Sequence, residues 1–448
     1  MHSSRSIRTL RITAFLFAYL LLSHGLPSER LRAQGINKVG HIVVIYLENH
    51  SFDNLFGEFP GANGLNRAAK TQTQVDSNGV AYPTLPAPRS GADYIKGLPN
   101  KPFNIDQFRS WDSMTIDLVH RYYQEQMQID GGKMDKFALV SDAKGLTMGY
   151  YHTAPLPLAA EAKDYVLCDN FFHSAFGGSF FNHIFFIAGQ PAFFPNAPKS
   201  LHAQLGPGGK LVKDGALDSN GYAINTAYSV NAPHPLKTPA ANLMPNQTMP
   251  TIGDRMDAKN IRWAWYAGGW NDALAGHADS LFQYHHQPFV YFASYADGTA
   301  AKAAHLKDET EFLAAAKAGT LPEVSFVKPL GEVNEHPGYA ALHAGEMHVE
   351  DLINAVRNGP NWNDCVIIIT YDEHGGFWDH VKPPVIDKWG PGLRVPGIIV
   401  SPFAKHGVID HTQYETMSII SFIEKRFGLK PLGTRDAKAN PFKNAFRF

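Results

Sequence analysis

Two seven-residue runs, HIVVIYL (41–47) and CVIIITY (365–371), constrain the fold more than any other feature of the chain. A strand with one wet face alternates polar with apolar residues. An unbroken, β-branched apolar run instead belongs to a strand covered on both faces, as in a parallel sheet between helices. PGIIVSPF (396–403) is a third such run, and DYVLCDNFF (164–172), NIRWAWYAG (260–268) and PEVSFVKP (322–329) are shorter candidates. Helical periodicity falls between them, in LPLAAEAKDY, in TIGDRMDAK and over residues 307–319, 347–359 and 414–428. The last two end in Asn-Gly and Gly, which suit helix C-caps. The alternation predicts a doubly wound α/β fold, with a mostly parallel central sheet flanked by helices. Residues 58–104 and 191–249 break the pattern with Pro, Asn, Gly and Ala, and are expected to be loop insertions forming a cap over the site.

In open α/β sheets, ligands bind beyond the carboxyl ends of the strands. HIVVIYL runs into Glu48-Asn49-His50-Ser51, and CVIIITY into Asp372-Glu373-His374-Gly375-Gly376. One acidic residue after a strand is ordinarily a helix cap. Two strands delivering Glu, Asn, Asp, Glu and His to one edge instead suit a divalent cation, for which His extends the choice to zinc or iron. After DYVLCDNFF comes His173-Ser174-Ala175-Phe176-Gly177-Gly178-Ser179 and then FFNHIFF. Glycines before Ser179 at a loop-to-helix junction allow close approach to a phosphate, which a helix N-terminus favours. Alone, the segment reads equally as a Gly-rich turn with Ser179 as helix cap. A cation held by Glu48, Asn49 and Asp372 would make the hydroxyl a nucleophile.

Histidine is over-represented, with 21 residues against 40 Lys+Arg. His120 follows TIDLV, His285 and His286 form a pair in QYHHQPF, and His336 lies in NEHPG. Near a metal or nucleophile, imidazoles can bind phosphoryl oxygens or protonate a leaving group. The signatures of zincins, P-loop nucleotidases and dinucleotide-binding dehydrogenases are absent.

HIVVIYLENHSFDNLFG, GGSFFNH and ITYDEHGGFWDHV, in that order, resemble one family. It is the bacterial phosphoesterase family of phosphatidylcholine-type phospholipases C and secreted acid phosphatases, within the alkaline-phosphatase-like superfamily. The resemblance spans nearly the whole chain after residue 33. It implies an alkaline-phosphatase-like fold and a divalent metal bound by Glu48, Asn49, Asp372 and Glu373 together with the oxygen of Ser179. Ser179 is then the nucleophile, passing through a phosphoseryl intermediate, and His120, His285, His286 and His336 line the phosphate pocket. Asp53, Lys133, His183, His374 and Asp379 also sit in matching motifs and are expected to be supporting residues. Larger phospholipases C of the family carry C-terminal β domains, whereas here about 20 residues follow the last helix. The expectation is therefore an acid-phosphatase-like hydrolase with possible phosphodiesterase activity. The alternative is a phospholipase C working at a lipid surface. A different class, a His-rich metal-binding protein without turnover, would leave the GGS motif unexplained.

Arg5, Arg8 and Arg11 precede ITAFLFAYLLL (12–22), which has the length of a signal-peptide apolar region and is too short to span a bilayer. Residues 1–33 are expected to be a cleaved signal, leaving 34–448 as one catalytic domain in an exported, periplasmic or secreted protein. The remainder has 35 basic and 40 acidic residues and no further membrane-length run, so neither nucleic acid nor an integral membrane segment is expected. Cys168 and Cys365, the only cysteines, both fall in expected core strands and are read as free thiols.

Overall fold

The computed structural model describes residues 35–88 and 96–448, so the N-terminal signal expectation lies outside the described residues. Eight strands form the main sheet: β1 (His41–Leu47), β2 (Val166–Cys168), β3 (Trp263–Ala267), β4 (Leu306–Asp308), β5 (Val324–Lys328), β6 (Cys365–Tyr371), β7 (Gly397–Val400) and β8 (Val408–Asp410). Their spatial order is β4-β3-β5-β1-β6-β7-β2-β8. Every neighbouring pair is parallel except the two made by β7, which alone runs backwards. The expected mostly parallel sheet is therefore observed. All seven residues of β6 and six of the seven of β1 are buried, which is what their unbroken apolar runs require.

The helices that matter for the site are α1 (Tyr122–Ile129), α2 (Pro157–Asp164), α3 (Ser179–Ala188), α4 (Glu309–Ala318), α5 (Leu342–Arg357) and α6 (Thr416–Phe427). They flank the sheet in two groups: α5 packs on α2 and α4, whereas α3 packs on α6. Two boundaries differ from the sequence reading. Residues 307–308 belong to β4, and the helix begins only after the Asp308 capping box. The helix expected from 347 starts at Leu342, behind an Ala341 cap that makes no side-chain bond and so leaves no sequence signal. Val408–Asp410 was not expected as a strand, being too short to show periodicity. Cys168 and Cys365 are free and buried, as read. No helix among the described residues is long and apolar enough to cross a membrane.

Candidate active site

β1 and β6 are neighbours, with Leu47 opposite Tyr371, so Glu48 and Asp372 leave the sheet side by side. The turn between them is tight. Asn49 adopts a left-handed conformation (φ 68°), which Asn tolerates, and its N–H donates to Asp372 Oδ1 at 3.1 Å. Gly375 is also left-handed, and a Cβ there would collide with the Asn49 backbone. Gly177 (φ 87°) leaves no room for a Cβ against the Tyr122 backbone, which brings the chain onto α3 in one fixed way. Gly178 is the helix cap, so Ser179 is the first helical residue and its hydroxyl makes no capping bond. The cap reading of Ser179 is thereby removed.

That hydroxyl donates to Glu48 Oε2 at 3.1 Å and lies 3.4 Å from Asn49 Oδ1. The Asn49 amide oxygen itself lies 3.2 Å from Glu48 Oε2, 3.2 Å from Asp372 Oδ1 and 2.7 Å from Glu373 Oε1. Its nitrogen lies 2.8 Å from His336 Nε2 and 3.4 Å from His120 Nε2. His336 Nδ1 faces the Pro337 carbonyl at 2.7 Å and His120 Nδ1 faces that of Leu118, so each ring commits its Nδ1 proton there. Both Nε2 atoms are then acceptors for the amide nitrogen. Turning the amide end for end would satisfy the carboxylates but would demand a second proton on the His336 ring. That ring is buried, and burial lowers its pKa. The orientation that suits the histidines thus leaves four oxygens facing one another, an arrangement that a cation resolves.

Charge counting agrees. Glu48, Asp372 and Glu373 are fully buried, and the cation against them is Lys328, the last residue of β5, whose Nζ pairs with Glu48 Oε1 and donates to the Leu47 carbonyl at 3.1 Å. Three carboxylates and one ammonium leave two negative charges, which one divalent ion would balance. Burial alone would raise the Glu48 carboxyl, but Lys328 and His286 outweigh it and hold Glu48 well below the usual range. Burial and the Glu48 charge push Asp372 well up, and burial with the Asp372 charge does the same to Glu373. Without a cation, protons take up the excess charge. These oxygens could hold a divalent metal, and the donor set fits one.

A cavity of about 310 Å³ opens above Ser179, lined by Glu48, His120, Arg121, His285, His336 and Tyr339 among others. His285 lines the cavity, and His286 sits beside it with Nε2 2.9 Å from Glu48 Oε1. Burial depresses both rings, His286 to about 4. His183 stacks on His286 at 5.2 Å and its Nδ1 faces the Ser179 carbonyl at 2.7 Å. Asp53 and Asp379 meet around Arg394, and Lys133 pairs with Asp130 on the surface. Among the described residues, one of the two expected cap loops reaches the cavity, through Asn225 and Thr226. The described part of 58–104 does not line it; Gln74 and Val75 bond instead to the backbone of Met134, Ala138 and Asp135. The segment 117–121 also lines the cavity. Lys328 was missed by sequence reasoning, although a lysine ending an apolar strand just before a proline was a signal to notice.

The sequence pattern of the Phosphoesterase family matches residues 39–430. The chain belongs to that family. Family relatives include the non-hemolytic phospholipase C of Pseudomonas aeruginosa, 24% identical over 93% of this chain and 58% of that protein. Others are phospholipase C A of Mycobacterium tuberculosis, 24% identical (92% of this chain, 78% of that one), and non-specific phospholipase C1 of Arabidopsis thaliana, 25% identical (99% and 78%). The chain spans less than two thirds of the length of the Pseudomonas relative. Among solved structures, an alkaline phosphatase superfamily protein from Vibrio parahaemolyticus is 10% identical over 65% of each chain, with a TM-score of 0.35.

Proposed function

We propose that this member of the phosphoesterase family is an exported phosphoric ester hydrolase with Ser179 as nucleophile and Glu48, Asn49, Asp372 and Glu373 holding a divalent metal. One observation carries the reading: a hydroxyl free of capping duty, at a helix N-terminus on a cavity floor, faces a cluster of oxygens that needs a cation. When bound, the metal would supply Lewis acidity, easing loss of the hydroxyl proton and offsetting charge on the phosphoryl group. Ser179 Oγ forms a bond to phosphorus, and its proton leaves into the open cavity rather than onto Glu48, whose carboxylate is held ionised, despite burial, by Lys328 and His286. The bond from phosphorus to the leaving alcohol breaks, and that alcohol takes up the proton that Ser179 gave to the cavity water, so the two transfers balance. Water then hydrolyses the phosphoseryl ester and frees Ser179. The first turn of α3 orients its N–H groups toward the anionic group.

For substrate, the relatives' names favour phospholipid phosphodiesters over the phosphomonoesters expected from chain length alone. The test is hydrolysis of nitrophenylphosphorylcholine against nitrophenyl phosphate, across pH, with and without chelator. Chelator-sensitive turnover with the diester preferred is expected. Preference for the monoester would restore the acid-phosphatase reading, and stoichiometric metal uptake without phosphate release would remove the enzyme reading altogether.

A further inference from the structure

A second cluster lies behind the Gly177–Ser179 turn, and the mechanism does not use it. Glu125 on α1, His173 beyond β2 and His374 beyond β6 all have fully buried side chains. His173 Nε2 lies 3.0 Å and His374 Nε2 3.8 Å from the same oxygen, Glu125 Oε1, and the three atoms lie within 4.8 Å of one another.

The protons can be placed. His173 Nδ1 faces the Ala175 carbonyl at 2.8 Å and Asn182 Oδ1 at 3.3 Å, and His374 Nδ1 faces the Phe377 carbonyl at 3.0 Å. The Asn182 amide is oriented by its nitrogen, which donates to the Gly177 carbonyl at 3.0 Å. All three partners are acceptors only, so both rings carry their proton on Nδ1. Both Nε2 atoms therefore turn lone pairs toward a carboxylate, and at 3.0 Å a hydrogen bond from His173 Nε2 to Glu125 would require a second proton on that buried ring. Glu125 accepts from the backbone N–H groups of Gly177 and Leu393, and no lysine or arginine pairs with it among the described residues. Gly392 keeps the spot open, because a Cβ there would collide with the His173 ring and the Glu125 carboxylate. The neighbouring cluster of Asp53, Asp379 and His380 is built differently, since the Arg394 guanidinium fills it.

We propose that Glu125, His173 and His374 form a second, buried site for a divalent metal of the zinc class, separate from the oxygen cluster at Ser179. Two imidazole nitrogens and a carboxylate oxygen are zinc's usual donors, and an imidazole whose other N–H donates to a carbonyl is held as metal-ligating histidines are held. Bonds of about 2.0–2.2 Å at tetrahedral angles place donor atoms about 3.4 Å apart, close to the spacings found here. Full burial makes the site structural rather than catalytic, with a buried water completing the tetrahedron beside the three protein donors. It ties α1, the exit of β2 and the exit of β6 together, and through the Gly177 N–H bond to Glu125 it braces the turn that presents Ser179. The site stands whether or not Ser179 is a nucleophile.

The test is anomalous scattering at the zinc edge from crystals of the wild-type protein grown after incubation with zinc. A peak bounded by Glu125 Oε1, His173 Nε2 and His374 Nε2 is expected. A map without one there would overturn the site and leave His173 as a doubly protonated partner of Glu125. Cobalt gives a second reading in solution. Asp372→Ala, which lacks one oxygen of the other cluster, should retain one cobalt per chain with the strong visible absorption of a tetrahedral site. Adding His173→Asn should abolish that equivalent. Retention of the band in the double variant, or no bound cobalt in Asp372→Ala, counts against the proposal. Should His173→Asn fail to fold, the crystallographic result on the wild type decides.

Discussion

Two buried charge clusters occupy the same edge of the sheet, and they are built on opposite plans. At Asp53, Asp379 and His380, the Arg394 guanidinium donates to Asp379 through Nε at 2.9 Å and Nη2 at 3.0 Å, to Asp53 at 3.2 Å, and to the carbonyls of Asn63 and Asp169. Both carboxylates there accept from one guanidinium held in a fixed geometry, as a planar fork with five donors allows. At Glu48, Asp372 and Glu373 a single lysine faces three carboxylates, and Asp372 Oδ2 makes no hydrogen bond. The carboxylates of the first cluster find their donors within the protein, and that cluster serves the fold. The second is complete only with something the chain does not encode, which is the expected state of a site that takes up a ligand.

The contrast can be broken most sharply at Ser179. Ser179→Ala should lower turnover by several orders of magnitude while changing stability by no more than about 1 kcal/mol, because the hydroxyl is not a cap. Acid quench during turnover of the wild type should trap phosphate on the peptide containing Ser179, with configuration at phosphorus retained overall. Inversion would mean direct attack by water and would demote Ser179 to a cation ligand. Next in size, Glu48→Ala and Asp372→Ala should each reduce bound metal and activity together, and the double variant should be little worse than either single, since all act through one ion. Full metal occupancy in either variant, by elemental analysis, would take that residue out of the ligand set.

The structural cluster should respond the other way. Arg394→Ala strands two buried carboxylates and should cost about 3–5 kcal/mol in denaturant unfolding. An unchanged midpoint with activity lost would erase the distinction between the clusters. The smallest effect tests the premise that a buried carboxyl without a cation takes up a proton instead. Burial and then the neighbouring Asp436 raise Glu424 to about 9. A raised carboxyl binds its proton more tightly in the folded state, so its contribution is present below the ordinary carboxyl range and is lost as pH rises toward 9. Relative to Glu424→Gln, the wild type should therefore lose stability progressively between about pH 5 and pH 9. A constant difference across that range would refute the assignment.

Much of this was legible in the residues. Apolar runs located β1 and β6, and because both strands are buried and parallel, the polar residues following them had to emerge at one edge. Glu48, Asn49, Asp372 and Glu373 were found that way, and Ser179 by the glycines before it. Lys328 escaped because nothing local marks a lysine as buried; its burial depends on β5 lying beside β1. Glu125 and Arg394 escaped for a related reason. Each lies far along the chain from the charges it meets, and periodicity carries no record of such pairings.

The sequence by itself determined the strand cores, the alternation of strand and helix, and which residue types stand at the strand ends. These are local consequences of side-chain size, branching and polarity, read within a few residues. Only the tertiary structure decided that β7 runs backwards, that His285 lines the cavity while His286 meets Glu48, and which loop reaches over Ser179. It also decided which buried carboxylates meet an arginine and which are left facing one another. Those outcomes follow from strand order and the packing of distant segments, where burial sets the energy of each charge and the partner's position sets whether that energy is offset.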